Sequence, residues 1–266
     1  MRERVGTVAE LWRYPVKSMR GERVGEMVVT EEGAAGDRLY ALRELKYGGI
    51  MSARMFAAML QLRATCESMP AGEPRVTITL PDGGAIQAGD RDTDDALSAL
   101  FQFPVRLERP RQAQLTMDDI DAIREGRAFL PPRSLYDEDV LHVLASGTLD
   151  HLRRLEGGSS DFDVRRFRPN IFVDTGTAGD GFIEDGWLGG DLEVGDASGV
   201  RIVGMRPALR CAMTIHAQDE LRSDPAILRT AARHHAAYVG LFASVGAPGR
   251  IRVGDPLWLV RNESAP

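Results

Sequence analysis

Short runs of alternating or continuous apolar residues dominate the chain, and they predict strands. In the first half these runs are Val5 to Tyr14, Gly25 to Thr30, Leu39 to Leu45 and Val76 to Leu80. Turn residues bound them: Glu32-Gly33, Gly48-Gly49 and Pro81-Asp82-Gly83-Gly84. The Asp-Gly step inside Arg75 to Gly89 reads as a β-hairpin. Later strands are predicted over Ile171 to Asp174, Asp191 to Val194, Val200 to Met205, Ala208 to Ile215 and Arg250 to Val260. Helical periodicity is rarer and comes with its own end signals. Thr93 can cap the acidic start of a helix over Asp94 to Phe101. Ser146 or Thr148 can cap a helix with Leu149, Leu152 and Leu155 on one face, which Gly157-Gly158 ends. Asp224-Pro225 opens another helix through His235, and a short one is expected over Met55 to Leu62. This pattern predicts a mainly β fold with short helices (α+β), built as barrels or sandwiches rather than a doubly wound parallel sheet. A boundary between two domains is expected in the stretch from Pro104 to Pro132, which holds Pro110, Asp118-Asp119, Gly126 and Pro131-Pro132.

Composition narrows the function classes. The 266 residues suit one large or two modest domains. Lys and Arg number 33 against 39 Asp and Glu, a net charge of -6. That argues against a general nucleic-acid partner and against an anionic membrane surface. The two cysteines, Cys66 and Cys211, fall short of the four thiolates of an ordinary iron–sulfur cluster or an all-cysteine zinc site. The opening MRERVGTVAEL has no apolar signal-peptide core, and no apolar stretch approaches membrane-helix length. The expectation is a reduced, soluble, cytoplasmic protein. No zinc spacing joins the histidines, and no dinucleotide, Walker or nucleophile-elbow motif is present.

Four segments carry candidate chemistry. Tyr14-Pro15-Val16-Lys17-Ser18 offers an ammonium and a hydroxyl suited to an oxyanion, though a lysine in a solvated loop fits as well. Gly36-Asp37-Arg38 is a turn that presents an arginine, or a simple Asp–Arg turn pair. Val164 to Asn170 concentrates Arg165, Arg166 and Arg168. Strand alternation there would put Arg166 and Arg168 on one side, and Pro169 would hold Arg168 extended. Those guanidinium forks suit a phosphate, or else form a solvated rim paired with Asp161, Asp163 and Asp174. In the fourth, Arg210 precedes Cys211 within a predicted strand, with Arg206 nearby. A thiolate so placed can ligate a soft metal or carry sulfur; it can equally be a small buried hydrophobe, the reading given to Cys66. His216, five positions beyond Cys211, is either a proton donor or a surface turn residue.

Taken in order, these segments resemble the MOSC family, the molybdenum cofactor sulfurase C-terminal domain. YPVKS and GDR look like its N-terminal β-barrel domain; RRFRPNI, the later Arg-Cys and the closing Tyr238 to Val260 look like the MOSC domain itself. The resemblance implies an N-terminal β-barrel-like domain over 1–115 and a MOSC β-barrel domain over 116–266. It implies the molybdenum cofactor (Mo-molybdopterin), a pyranopterin dithiolene with a terminal phosphate, bound between the two domains. Cys211 would be the molybdenum ligand, with Arg210 beside it. Lys17, Ser18, Arg38, Arg168 and Asn170 match cofactor-holding positions, and Ser146 and Thr148 match a helix start that can meet an anion. The activity implied is reduction of N-hydroxylated or N-oxygenated small molecules, with electrons from a separate ferredoxin-like or flavin reductase. The alternative is a sulfur carrier using a Cys211 persulfide. After Thr214, where amidoxime-reducing relatives continue Val-Asp-Pro, this chain reads Ile215-His216-Ala217, which leaves the substrate open.

Overall fold

The computed structural model describes residues 1–67, 73–109, 141–176, 181–195 and 199–261. The strands of the first half are β1 (Arg2–Arg13), β2 (Glu22–Val24), β3 (Glu26–Thr30), β4 (Gly33–Ala34), β5 (Ala41–Glu44), β6 (Arg63–Glu67), β7 (Arg75–Thr79), β8 (Ala85–Gln87) and β9 (Val105–Glu108). Those of the second are β10 (Leu141–Ala145), β11 (Ile171–Asp174), β12 (Asp191–Val194), β13 (Val200–Leu209), β14 (Tyr238–Ala247), β15 (Gly249–Arg252) and β16 (Pro256–Val260). Among the described residues, four short α-helices accompany them: α1 (Thr93–Phe101), α2 (Ser146–Glu156), α3 (Val164–Phe167) and α4 (Pro225–His235). The fold is mainly β with short helices, as the pattern predicts.

The chain divides into two interleaved units. One takes residues 1–12 and 23–35 together with the described residues from 141 onward; the other takes 13–22 and 36–109. The boundary expected at 115/116 lies outside the described residues. The first unit is a closed barrel. Its strands run β11-β10-β14-β13-β12-β16-β1, and β1 pairs again with β11 through Val8 opposite Val173 and Leu11 opposite Ile171. Closure pairs each of these seven strands on both sides. Alternation fills the inside with Val8, Leu11, Val143, Ile171, Leu192, Ile202, Leu241 and Leu257, all at most 1% exposed. Each such side chain contributes roughly 1.5–3 kcal/mol by leaving water.

β10 is buried on both faces. Val143 faces the barrel interior, while Leu144 packs with Leu149, Leu152, Phe162, Phe167 and Ile227 of the helical layer. β10 and β11 are parallel, so the chain must cross over between them, and α2 and α3 form that crossover. Asp224 caps α4 by accepting the Ala226 N–H at 2.9 Å, with Pro225 in the first turn.

The second unit joins β6-β7-β8 and β5-β9 sheets with α1. The predicted hairpin forms, with Thr77 opposite Gln87 and Thr79 opposite Ala85. Among the described residues no helix is long and apolar enough to cross a membrane.

Two expectations are corrected. The strand predicted over Ala208 to Ile215 stops at Leu209, and Ala212–Ile215 forms a 3-10 turn. The reason is local: the Cys211 carbonyl accepts both the N–H and the hydroxyl of Thr214, at 3.1 and 3.0 Å, which curls the chain. Val164–Phe167 is a helical turn rather than an alternating strand entry. Asp163 caps it by accepting the Arg165 N–H at 2.8 Å. Arg168 then leaves that turn in the left-handed region, φ 55°, and is not extended.

Candidate functional site

In the second unit, the Tyr14–Ser18 and Gly36–Arg38 segments are tied side by side. Asp37 accepts the Tyr14 N–H at 2.6 Å, and the Arg38 N–H returns to the Tyr14 carbonyl at 2.8 Å. The Lys17 N–H donates to the Tyr40 carbonyl at 2.8 Å. Lys17, Ser18 and Arg38 are therefore brought together by main-chain pairing. Gly36 makes the turn possible: its φ is +87°, and a Cβ there would meet Arg13 Cδ at 2.9 Å and Cys66 Sγ at 3.2 Å. Ser18 has a buried hydroxyl with no hydrogen-bond partner and a left-handed φ of 68°. A buried polar atom without a partner is rare in proteins and calls for an explanation.

In the barrel unit, Arg168 and Asn170 flank Pro169 at the entry to β11. Asn170 is fully buried and its amide staples strands together. Its Oδ1 accepts the His142 N–H at 3.1 Å, and Nδ2 donates to the Trp12 carbonyl at 3.3 Å. His142 is buried beneath the Arg168 main chain, with Nε2 3.2 Å from the Val239 carbonyl and Nδ1 3.4 Å from that of Arg168. Gly240 admits the imidazole; a Cβ there would sit 2.3 Å from His142 Nε2.

Ser18, Arg38 and Arg168 are three of the seven non-glycine residues with positive φ among the described residues. Such conformations persist only where the surroundings enforce them, and they cluster at ligand sites.

Cys211 is exposed, just beyond the end of β13 at the start of the 3-10 turn. The Arg210 N–H donates to the Ala237 carbonyl at 2.8 Å, and its Nη2 donates to the Phe167 carbonyl at 2.6 Å. Arg206 and Arg210 both lie over the Phe242 ring, at 5.1 and 5.9 Å. His216 Nε2 is buried without a hydrogen-bond partner. Cys66 is the opposite case. It lies in β6 opposite Val76, and burial pushes its thiol pKa up, only partly offset by Arg13. Among the described residues, no group of three or more His, Cys, Asp or Glu stands ready to hold a metal ion.

The helix start at Ser146 and Thr148 closes on itself. The Thr148 hydroxyl donates to the Glu184 carboxylate and accepts the Ile183 N–H at 2.9 Å. Glu184 Oε1 also accepts the Ala145 N–H at 2.6 Å. Ser146 Oγ accepts the Thr175 N–H at 3.1 Å, and the Gly147 N–H donates to Thr175 Oγ1 at 3.2 Å. Glu184 is fully buried, and burial pushes its pKa up to about 7 against the opposing pull of Thr148 and Ala145.

Arg165 is partly exposed in an ion-pair cluster that includes the exposed Glu220, whereas Arg166 is buried. Arg165 pairs with Asp163 at 2.8 Å, Asp219 at 3.5 Å and Glu220 at 2.6 Å. Burial pushes the Asp163 carboxyl up, but the Arg165 guanidinium and N–H more than offset this and hold it low. Arg166 is 2% exposed, and burial lowers its pKa despite Asp224 and Asp161. Sequence reasoning missed the internal roles of Arg166 and Glu184, because both residue types ordinarily read as surface.

Fold and site together define a class: a two-unit β protein with an exposed thiol beside arginine on its barrel unit and basic, conformationally strained loops. The chain belongs to the MOSC family. The MOSC N-terminal beta barrel domain matches residues 5–119 and the MOSC domain matches residues 131–258. It is 26% identical over 302 residues to mitochondrial amidoxime reducing component 2 of Rattus norvegicus, covering 96% of this chain and 84% of that protein. It is 27% identical to mitochondrial amidoxime-reducing component 1 of Mus musculus, covering 97% and 83%. The human component 1 stands at 26%, covering 97% and 84%. The crystal structure of the YUAD protein from Bacillus subtilis aligns over 99% of both chains with TM-score 0.48 and 12% identity.

Proposed function

We propose that this chain binds the molybdenum cofactor and acts as a molybdenum-dependent oxidoreductase, with Cys211 as the metal ligand. The observation that carries the reading is the placement of the two cysteines: Cys66 is buried in a strand ladder, whereas Cys211 is exposed beside Arg210. A soft thiolate suits molybdenum. The chain's residues also fit the organic part of the group. The buried, unpartnered Ser18 hydroxyl is a polar atom waiting for a partner. Lys17 would add a point charge, and the Arg38 and Arg168 forks would take phosphate oxygens. Asn170 would act by fixing the chain two residues after Arg168, since its amide is already engaged with His142 and Trp12. Ser146 and Thr148 are left out of the set, because their hydroxyls serve Thr175, Ile183 and Glu184.

When bound, the cofactor supplies the two-electron chemistry that protein side chains lack. The chain's part is to hold, orient and handle protons. Arg210, the residue before Cys211, is fixed by the Phe167 carbonyl and by the Phe242 ring, and so would help to orient the bound group. His216 Nε2, buried and unpartnered, can hold or release a proton five residues from that thiol. The relatives' name, amidoxime-reducing component, supports N-hydroxylated or N-oxygenated compounds as the substrate class. Electrons would come from a separate ferredoxin-like or flavin reductase.

Elemental analysis with pterin fluorescence tests this on protein made in a cofactor-competent host. Wild type should carry near-stoichiometric molybdenum and pterin, and Cys211→Ser should lose the metal while remaining folded. Wild-type protein without either, under conditions that load a related enzyme, would overturn the reading. A persulfide at Cys211 in that protein would point to sulfur transfer instead.

A further inference from the structure

The most deeply buried guanidinium among the described residues has no carboxylate within ion-pair distance. Arg166 is 2% exposed, and its hydrogen bonds go to main-chain carbonyls alone. Nε donates to Asp161 at 2.9 Å, and Nη2 donates to Arg222 at 2.7 Å. Nη1 donates to Thr214 at 3.3 Å and His216 at 3.4 Å. Burying a charge is unfavourable unless its donors are satisfied, and here one planar fork satisfies several carbonyls at once.

Those carbonyls belong largely to one segment. Residues 211–222 hold a single 3-10 turn over Ala212–Ile215 and a tight Gln218–Leu221 pairing. This segment starts with Cys211. Thr214, gripped through its carbonyl by Arg166, binds the Cys211 carbonyl with both its N–H and its hydroxyl. Arg165 adds an outer tie to Asp219 and Glu220. On the other flank, the Phe167 carbonyl holds Arg210. The four-residue helix α3 thus grips the chain immediately before and after Cys211.

We infer that Arg166 is the positioning residue for Cys211: its buried guanidinium fastens the Cys211–Arg222 segment to α3 and thereby fixes where the thiol is presented. The inference rests on the functional reading only in taking Cys211 as the reacting group. It explains why consecutive arginines precede Phe167 in a protein of net negative charge: they are a clasp for a loop rather than a contact for an anion.

Hydrogen–deuterium exchange and thiol alkylation on the full-length chain, made in a cofactor-deficient host, test it. In Arg166→Met, which keeps the stem and removes the fork, the amides of Thr214, His216 and Asp224 should exchange at least about tenfold faster. The barrel amides of Leu141–Ala145 should be unchanged. Iodoacetamide should label Cys211 at a rate at least about threefold different from wild type, with buried Cys66 as the internal control. Arg166→Lys, which keeps the charge and three donors, should restore most of both properties. Wild-type exchange and labelling in Arg166→Met would overturn the inference. If that variant does not fold, Arg166→Gln decides: it removes the charged fork that reaches Thr214, His216 and Arg222, and wild-type exchange and labelling there would equally overturn the inference. Neither readout needs the cofactor, so wild-type protein without molybdenum would sink the functional reading and leave the clasp standing.

Discussion

The helix start at Ser146–Thr148 and the paired loops at Tyr14–Ser18 and Gly36–Arg38 make the same promise in sequence: hydroxyls placed to meet an anion. Their hydrogen-bond accounts differ. At the helix start, Thr148 both donates and accepts, Ser146 is engaged with Thr175, and Glu184 takes the Ala145 N–H. In the loops, Ser18 keeps a buried hydroxyl without a partner, held in a strained conformation. Residue type alone does not make a site. An unmet hydrogen bond at a place the backbone was forced to adopt is the stronger sign.

The largest effect expected from this contrast lies with Glu184. Its folded-state pKa is raised to about 7 from 4.5, chiefly by burial. Below the lower value both the folded and the unfolded chain hold the proton, so pH has no effect through this group. Between the two, the unfolded chain releases the proton while the folded one keeps it, and stability falls as pH rises. Above about 7 the loss is complete, on the order of 3 kcal/mol. Denaturant unfolding from pH 5 to 8 should show this decline in wild type and a much flatter profile in Glu184→Gln. Parallel profiles would mean that the helix start is not closed around a buried carboxyl as described.

Thr148→Val sharpens the same point with a smaller change. It keeps the volume and removes a fully buried hydroxyl that serves Glu184 and Ile183. Leaving those partners unmet should lower stability by about 1–3 kcal/mol. Molybdenum content per folded molecule should stay at the wild-type level. Full stability with lost molybdenum would return Thr148 to the ligand set and erase the difference between the two regions.

Much of the fold could be read before its geometry was known, where the signal was local. Alternation bounded by Gly, Pro and Asp placed β1, β3, β7, β11 and β12 near their observed ends, and Asp224-Pro225 opened α4 where expected. The readings that failed needed information from elsewhere in the chain. Val164–Phe167 alternates like a strand, but the Asp163 cap and a guanidinium reaching Thr214, His216 and Arg222 make a helical turn there. The mostly apolar run Ala208 to Ile215 predicts Cys211 within a strand; the Thr214 bonds to its carbonyl end the strand first. The arginine cluster was visible, but its division of labour was not. Arg166 is buried, Arg165 pairs with the outer carboxylates of Asp219 and Glu220, and Arg168 leaves the turn with the left-handed backbone shared by Ser18 and Arg38.

Ser18→Ala should have the smallest effect on stability and is the sharpest test of the comparison. A serine hydroxyl buried without a partner is unfavourable as it stands, so removing it leaves no donor or acceptor stranded. The conformational strain at φ 68° stays, since alanine also carries a Cβ. Thermal unfolding should therefore shift by no more than the equivalent of about 0.5 kcal/mol, in either direction. Cofactor retention should fall, because the hydroxyl is proposed to find its partner only in the ligand. Opposite signs at Thr148 and Ser18, stability lost at one and cofactor at the other, are what the two hydrogen-bond accounts require. If Ser18→Ala instead destabilised the chain and retained molybdenum, the hydroxyl would have an internal partner after all, and the loops would be no different from the helix start.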